Sequence, residues 1–381
     1  MSVAIAHSMR GDTEAAIWPR LRSDEVRRVL DLWNIPASQA HIAWHSARPL
    51  SSAAIVSLPG GSLFIKRHSR RVREAAHLEE EHRFSAHLLS RGVGVTRVLR
   101  SAHGPSAVSE GEWSYEVHEL GAGVDLYGAA ASWTPFSSRA HALAAGRSLA
   151  TLHVASASYF ASPRLADLLV SNDSVIRSAD PVEAVSLAVE ARPALRDYLR
   201  RRRWREDLTR ALAPFHERYL KLSSSLEPLW THNDWHASNL LWSDSSSTAE
   251  VRTILDFGLS DRTTAIYDLA TAIERNTIPW LDIQAGGPGP ADFDLVDGLL
   301  QGYLGGAHLG RVERAALVAI LPIVHVGYAL TEIDYFHGVT RSPENADLAY
   351  RAFLLGHSQW FERTEGRALL DHIHERLRTL P

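Results

Sequence analysis

The sequence predicts an α+β fold in two lobes: a small N-terminal lobe with an antiparallel sheet and one helix, then a larger, mostly helical C-terminal lobe. Two observations carry this. Strand-like runs at residues 42–44, 53–58, 62–66 and 113–120 crowd the first third of the chain, with one long helical pattern, 73–90, between them. Beyond residue 137 the pattern is helical, broken by a hairpin-like pair of short apolar runs at 240–242 and 251–255. The lobes are drawn at 1–120 and 121–381, with a helical extension at about 23–34 inside the first. A chain of 381 residues, 45% apolar and 22% charged, can bury cores of that size.

The elements follow in order. Val26, Val29, Leu30 and Trp33 make one apolar helix face, with Ser23 as N-cap and Pro36 as terminator. Residues 46–52 link the first two strands. They contain no glycine, so backbone amides and the Ser51 or Ser52 hydroxyls are the groups there that suit a phosphate. Pro59-Gly60-Gly61 is a hairpin turn, and the strand after it ends at Lys66. On the next helix Glu81 shares the face of Leu78, Phe84 and Leu88. A carboxylate turned inward needs a cation, and Lys66 is the expected partner; Glu80 is the alternative carboxylate. A helix over 137–156 precedes a long, largely helical insertion at 157–228. Its run from Arg200 to Arg203, with Trp204 and Arg205, is followed at once by Glu206 and Asp207, so it reads as a solvated helix face and not a nucleic-acid site. The apolar stretch 315–330 holds Pro322, His325 and Gly327 and falls short of the ~20 residues of a membrane span, so a buried helix is expected.

Composition narrows the function. A net charge of −4 implies no general polyanion partner. With no cysteine, disulfides, thiolate metal sites and cysteine nucleophiles are excluded. His7, Arg10, Asp12 and Glu14 interrupt any apolar leader, and the cytoplasm is the expected location. Of 40 basic residues only Lys66 and Lys221 are lysines. A lysine on that background suggests a site that wants a compact ammonium and not a planar fork.

The most specific signal is His232-Asn233-Asp234-Trp235-His236-Ala237-Ser238-Asn239, followed by Ile254-Leu255-Asp256-Phe257-Gly258. An Asp, an Asn five residues on, and an Asp-Phe-Gly after a short hairpin is the spacing of a phosphoryl-transfer site. Asp234 would orient the acceptor hydroxyl as base; Asn239 and Asp256 would hold Mg²⁺. Short polar residues also cluster in ordinary turns. The hairpin between the two halves, which carries Asn239 to Asp256, is what chance does not supply. His232 and His236 have the spacing of a zinc motif, but no Glu follows the first His and the segment lacks helix periodicity.

These residues resemble the aminoglycoside phosphotransferase and choline kinase-like family, a branch of the protein-kinase-like fold. Members often carry His-Gly-Asp-x-His-x-x-Asn; here Asn233 stands where Gly is usual. Tyr267-Asp268-Leu269-Ala270 and Leu149-Ala150-Thr151-Leu152-His153 resemble two further family segments, and the matching landmarks run from Lys66 to Ala270. The resemblance implies that Lys66, fixed by Glu81, positions the non-transferred phosphates of ATP, with GTP as the alternative nucleotide. It implies a hinge at His118, Glu119 and Leu120 whose backbone meets the adenine edge. Asp268 and His232 would tie down the catalytic loop, and His236 would brace it. The implied activity is phosphorylation of a hydroxyl on a small molecule. Acidic residues outnumber arginines between Thr231 and Asp297, and Asp261 and Glu274 are the candidates to receive a cationic acceptor such as an amino sugar or amino alcohol. Two rivals are a protein Ser/Thr kinase and a nucleotide-binding regulatory module without turnover. Against the first, no Ala-Pro-Glu segment follows Asp-Phe-Gly; against the second, the set Lys66, Asp234, Asn239 and Asp256 is complete.

Overall fold

The structure is a computed structural model that describes residues 5–166 and 168–380. The first four positions of the N-terminal lobe as drawn from the sequence, position 167 of the helical insertion and the last residue lie outside the described residues. A hairpin of β1 (Ile5–His7) and β2 (Thr13–Ala15) comes first, then α1 (Ser23–Leu32). An antiparallel five-stranded sheet follows, built from β3 (His41–His45), β4 (Ser52–Leu58) and β5 (Gly61–Ser69), then, after α2 (Ala75–Ser90), β6 (Ala107–Glu110) and β7 (Trp113–Glu119); its order is β3-β4-β5-β7-β6.

Period-2 alternation decides what each face of this sheet does. Ala54, Val56, Ile65, Tyr115 and Val117 form a small core with Val26, Val29, Leu30 and Trp33 of α1. The opposite face carries Lys66, His68, Glu116 and His118. The strand of Lys66 continues to Ser69, three residues past the expected end, so Lys66 sits mid-strand with Glu116 as its cross-strand neighbour. The strand β6 was missed in the sequence because only four residues pair.

The rest is mainly helical. After α3 (Arg139–Ser156) the insertion forms α4 (Ser174–Arg177), α5 (Pro181–Ala191), α6 (Pro193–Leu199), α7 (Trp204–Leu212) and α8 (His216–Ser223). Four short strands then build the site: β8 (Pro228–Thr231), β9 (Leu240–Trp242), β10 (Val251–Ile254) and β11 (Asp261–Thr264), paired β8 with β11 and β9 with β10. The chain closes with α9 (Ala265–Thr277), α10 (Trp280–Gln284), α11 (Phe293–Leu304), α12 (Arg311–Ile320), α13 (Val326–Asp334), α14 (Pro343–Leu348), α15 (His357–Trp360) and α16 (Thr364–Thr379). Among the described residues one helical run, Arg311–Val339, is long and apolar enough to cross a membrane, and 94% of its most apolar window is buried inside the protein.

Two close approaches join sheet and helices. Val124 exchanges backbone hydrogen bonds with Trp242 at 2.7 and 2.9 Å. Gly123 permits this: its φ is +119°, and a Cβ there would lie 2.7 Å from the Trp242 carbonyl oxygen. The N-terminal hairpin spans the two halves as well. The His7 N–H donates to the Ala47 carbonyl at 2.8 Å, and Gly11, at φ +87°, lies against Leu281.

Candidate active site

The loop between β8 and β9 carries Asp234, and a buried network sets its shape. Asn233 has φ +62°, the left-handed region that Asn tolerates better than most side chains, which accounts for Asn where Gly is usual. Its Oδ1 accepts from Thr231 at 2.8 Å, and its Nδ2 donates to the Ser171 and Leu259 carbonyls. Asp268, at the start of α9, accepts from the backbone N–H groups of His232 and Asn233, both at 2.8 Å, and from His153 Nε2 at 3.0 Å. His232 donates from Nε2 to the Leu255 carbonyl at 2.8 Å and accepts the Asp234 N–H on Nδ1 at 3.2 Å. That pairing fixes the neutral Nε2–H tautomer.

Pairing of β9 with β10, continued by the Leu255 N–H to the Asn239 carbonyl at 2.8 Å, brings Asn239 beside Asp256. Asn239 Nδ2 donates to Asp234 Oδ2 at 3.0 Å, which leaves its Oδ1 to face a cation. Asp256 is left-handed, with φ 56°, and its carboxylate accepts the Gly258 N–H at 3.3 Å. Lys66 Nζ lies 3.0 and 3.1 Å from the two Asp256 oxygens. Burial opposes the Lys66 charge, but Asp256, then Glu116 and Glu81, hold its pKa well above the usual range.

Glu81 points inward as its register requires, but its partner is not Lys66. Arg164 Nη1 donates to Glu81 at 2.9 Å and also to the Gly258 carbonyl at 3.0 Å. Arg73 donates to that same carbonyl at 3.0 Å. Lys66 is engaged by Asp256, while a guanidinium from the insertion reaches Glu81. Two buried arginines thus tie α2 to the segment after Asp256, a link invisible in sequence because one partner lies in an unpatterned loop.

Asp234 has a partner the sequence did not reveal. Arg275, on α9, donates to Asp234 Oδ1. Its guanidinium lies 4.6 Å from the centre of the Trp133 ring and 5.3 Å from that of Tyr328. His236 Nε2 is 3.6 Å from the other Asp234 oxygen, and its Nδ1 meets Ser238 Oγ at 2.9 Å. Burial works against the charge of Asp234, but Arg275 and then His236 hold its pKa well below the usual carboxylate range. The reverse holds at Glu332 on α13. Burial, with Asp234 and Glu274 adding to it against the pull of Arg275, raises this carboxyl to about 8, and its buried Oε1 has no hydrogen-bond partner.

Lys66, Asp234, Asn239, Asp256, Arg275 and Glu332 all line one cavity of about 140 Å³. Arg48 and Ser51 of the 46–52 link, and His7, Ser8 and Met9 of the N-terminal hairpin, line it too. Ser52 is buried in β4 opposite Arg67 and does not. Neither do His118, Glu119 and Leu120: the Glu119 N–H is taken by the Arg97 carbonyl at 2.9 Å, and the His118 ring is turned toward Glu116. Asp261 and Glu274, expected to receive a cationic acceptor, are corrections. Asp261 accepts the backbone N–H groups of Arg164 and Arg262 at 2.8 and 2.7 Å. Glu274 lies 2.9 Å from His357 Nδ1 and 3.3 Å from His325 Nδ1; burial opposes its charge, but these histidines hold its pKa at about 2. Both carboxylates are buried and already partnered, so neither receives an acceptor.

The model of the phosphotransferase enzyme family matches residues 51–314. No curated protein sequence matches the chain. Among solved structures, an amicoumacin kinase in complex with AMP-PNP, Ca²⁺ and Ami is similar at 14% identity, covering 88% of this chain and 92% of that one, with a TM-score of 0.56. A microcompartment-associated aminopropanol kinase is similar at 15% identity, covering 91% and 99%, also with a TM-score of 0.56. An aminoglycoside phosphotransferase from Alicyclobacillus acidocaldarius is 17% identical, covering 89% and 93%, with a TM-score of 0.50.

Proposed function

The chain belongs to the phosphotransferase enzyme family and is a kinase with a hydroxyl acceptor, and we propose that it transfers the γ-phosphate of ATP to a small molecule bearing an amine. GTP is the alternative donor. The observation that carries this reading is the convergence of Lys66, Asp234, Asn239, Asp256 and Glu332 on one cavity. We propose the cytoplasm as its location and residues 120–121 as the lobe boundary, a reading supported by the end of the last sheet strand at Glu119.

In the proposed mechanism Asp234, anchored by Asn239 and Arg275, points at the acceptor hydroxyl. A carboxylate held at such low pKa is a poor base toward a free alcohol. It therefore orients the hydroxyl and takes its proton only as the new oxygen–phosphorus bond forms. The Asn239 side-chain Oδ1 and the Asp256 carboxylate are a hard-oxygen pair that would hold Mg²⁺. Bound there, Mg²⁺ would spread the charge of the transferred group. Lys66 positions the non-transferred phosphates. Lys66→Arg should then lower kcat/KM for ATP about 10²-fold, the scale of losing one preorganised donor, because a planar fork does not replace a compact ammonium between Asp256 and the phosphates. Wild-type kinetics in that variant would remove Lys66 from the nucleotide site.

Glu332 supplies the acceptor preference. A buried carboxyl without a hydrogen-bond partner on Oε1, facing the same cavity as the base, gains most from a ligand ammonium. A peptide is a poorer fit, since the chain passes from Asp256 through β11 directly into α9 with no docking segment between. The test is Mg²⁺-dependent ATP consumption against amino sugars, amino alcohols and neutral nucleosides. Turnover confined to amine-bearing acceptors is expected; equal turnover of neutral ones would sink the amine reading.

Glu332→Gln should raise KM for such acceptors at least about tenfold, the order of one charge-assisted contact, with KM for ATP unchanged. It should also change the pH dependence of stability. The folded-state pKa of Glu332, about 8, lies above the ordinary 4.5. The native state therefore holds a proton that the unfolded chain releases, and stability falls as pH rises between those values. Melting temperatures measured from pH 5 to 8 should decline less in the variant than in the wild type.

A further inference from the structure

Four side chains that the proposed mechanism does not use converge on the face of the sheet that carries Lys66. β5 contributes His68, β7 contributes Glu116 and His118, and α2 contributes His82. The three imidazoles turn Nε2 toward one carboxylate. His68 Nε2 is 3.0 Å from Glu116 Oε1; His82 Nε2 and His118 Nε2 are 2.5 and 3.0 Å from Oε2. The ligand atoms of His82, Glu116 and His118 all lie within 4.8 Å of one another. Glu116 is 2% exposed, His82 5% and His68 8%. The outer ring nitrogens face hydroxyls: His82 Nδ1 is 2.9 Å from Ser106 Oγ, and His118 Nδ1 is 3.5 Å from Thr96 Oγ1.

Hydrogen bonding alone accounts for part of this. Neutral His68 and His82 can each donate Nε2–H to Glu116. His118 Nε2 is buried 3.0 Å from the same oxygen, within ion-pair range but without hydrogen-bond geometry, so no hydrogen bond satisfies it. Its ring packs edge-on against Phe64 and His82, with centroids 6.1 and 5.8 Å away.

We propose that His82, Glu116 and His118 bind a divalent cation of the Zn²⁺ class. Two imidazoles and one carboxylate are donors such an ion prefers, His68 braces the other carboxylate oxygen, and a water would complete a tetrahedral shell. Ser106 and Thr96 then accept the Nδ1–H of their histidines, the outer-shell contact that sets the ligating tautomer. Mg²⁺ and Ca²⁺ prefer all-oxygen shells, so this site is chemically distinct from the Asn239–Asp256 pair. The ion would tie β7 to α2 beside the nucleotide site. It also draws the charge of Glu116 away from Lys66, its cross-strand neighbour, leaving Lys66 to Asp256 and the phosphates.

The test uses the untagged, metal-stripped full chain. Calorimetric titration with ZnCl₂ should give one tight equivalent and a higher melting temperature. Co²⁺ in its place should show the intense visible absorption of a tetrahedral ion, a wild-type readout that does not depend on any variant folding. The double variant His82→Gln, His118→Gln should weaken that equivalent beyond the about 10–100-fold that loss of an outer-shell partner costs. His374→Gln, at an exposed position on α16, should leave it unchanged. Absence of a tight equivalent, an octahedral Co²⁺ spectrum, or undiminished binding in the double variant would each overturn the proposal. So would loss of the tight equivalent in His325→Gln, which would move the ion to the Glu274–His325–His357 cluster.

Discussion

Asp256→Asn is expected to lower kcat by about 10³-fold or more, the scale of removing preorganised charge from a phosphoryl-transfer site. The amide keeps the volume, tolerates the left-handed backbone at φ 56°, and still accepts the Gly258 N–H. What it loses is the anion that would hold Mg²⁺ and that faces Lys66. Lys66 should stay protonated, because Glu116 and Glu81 also raise its pKa. Asp256→Ala is the less clean experiment. It forces an ordinary side chain into the left-handed region at a cost of about 1–2 kcal/mol, so lost turnover there mixes folding with chemistry. Melting curves for both variants beside turnover over a Mg²⁺ titration separate the two. An Asn variant within tenfold of wild type at saturating Mg²⁺ would remove Asp256 from the metal site.

The readings that needed only local pattern agree with the structure. The apolar stripe of α1, the Pro59-Gly60-Gly61 hairpin and the two short strands joining Asn239 to Asp256 are fixed by side-chain period and turn chemistry, which neighbours in sequence determine. Strands too short to show a period were missed: β1, β2, β6, β8 and β11 have three or four residues each. Partners were harder still. That Glu81 faces inward follows from helix geometry; that Arg164 meets it depends on a loop 83 residues away. Counting acidic residues near the motif pointed to Asp261 and Glu274, but charge count is blind to backbone N–H groups and histidines already spent on them. The same blindness hid Glu332 and Arg275, one lacking a partner and the other holding the base. A Glu just past the apolar stretch 315–330, and an Arg next to Glu274 on the helix after the motif, were the available signals.

Asp234→Asn should bind nucleotide as the wild type does and lose transfer by about 10²–10⁴-fold, the usual worth of a positioned base. The arrangement around it sharpens the expectation. Asn Oδ1 can still accept from Arg275; Asn239 Nδ2 loses the second carboxylate oxygen but keeps the main-chain carbonyl of residue 234 at 3.0 Å, and the backbone network of Asp268, His232 and Asn233 does not involve the Asp234 carboxylate, so the loop should hold. Removing the charge acts on Glu332 as well. The repulsion from Asp234 that helps raise this carboxyl disappears, and Arg275 is no longer matched by an anion on its other side. Glu332 should therefore ionise more readily, and an amine-bearing acceptor should bind no more weakly, or more tightly, while failing to react. Calorimetry of Mg-ATP and of a confirmed acceptor, followed by turnover, reads the three quantities separately. Full turnover would take Asp234 out of the mechanism. Lost ATP binding would place it among the metal ligands, and lost acceptor binding would make it the group that receives the amine in place of Glu332.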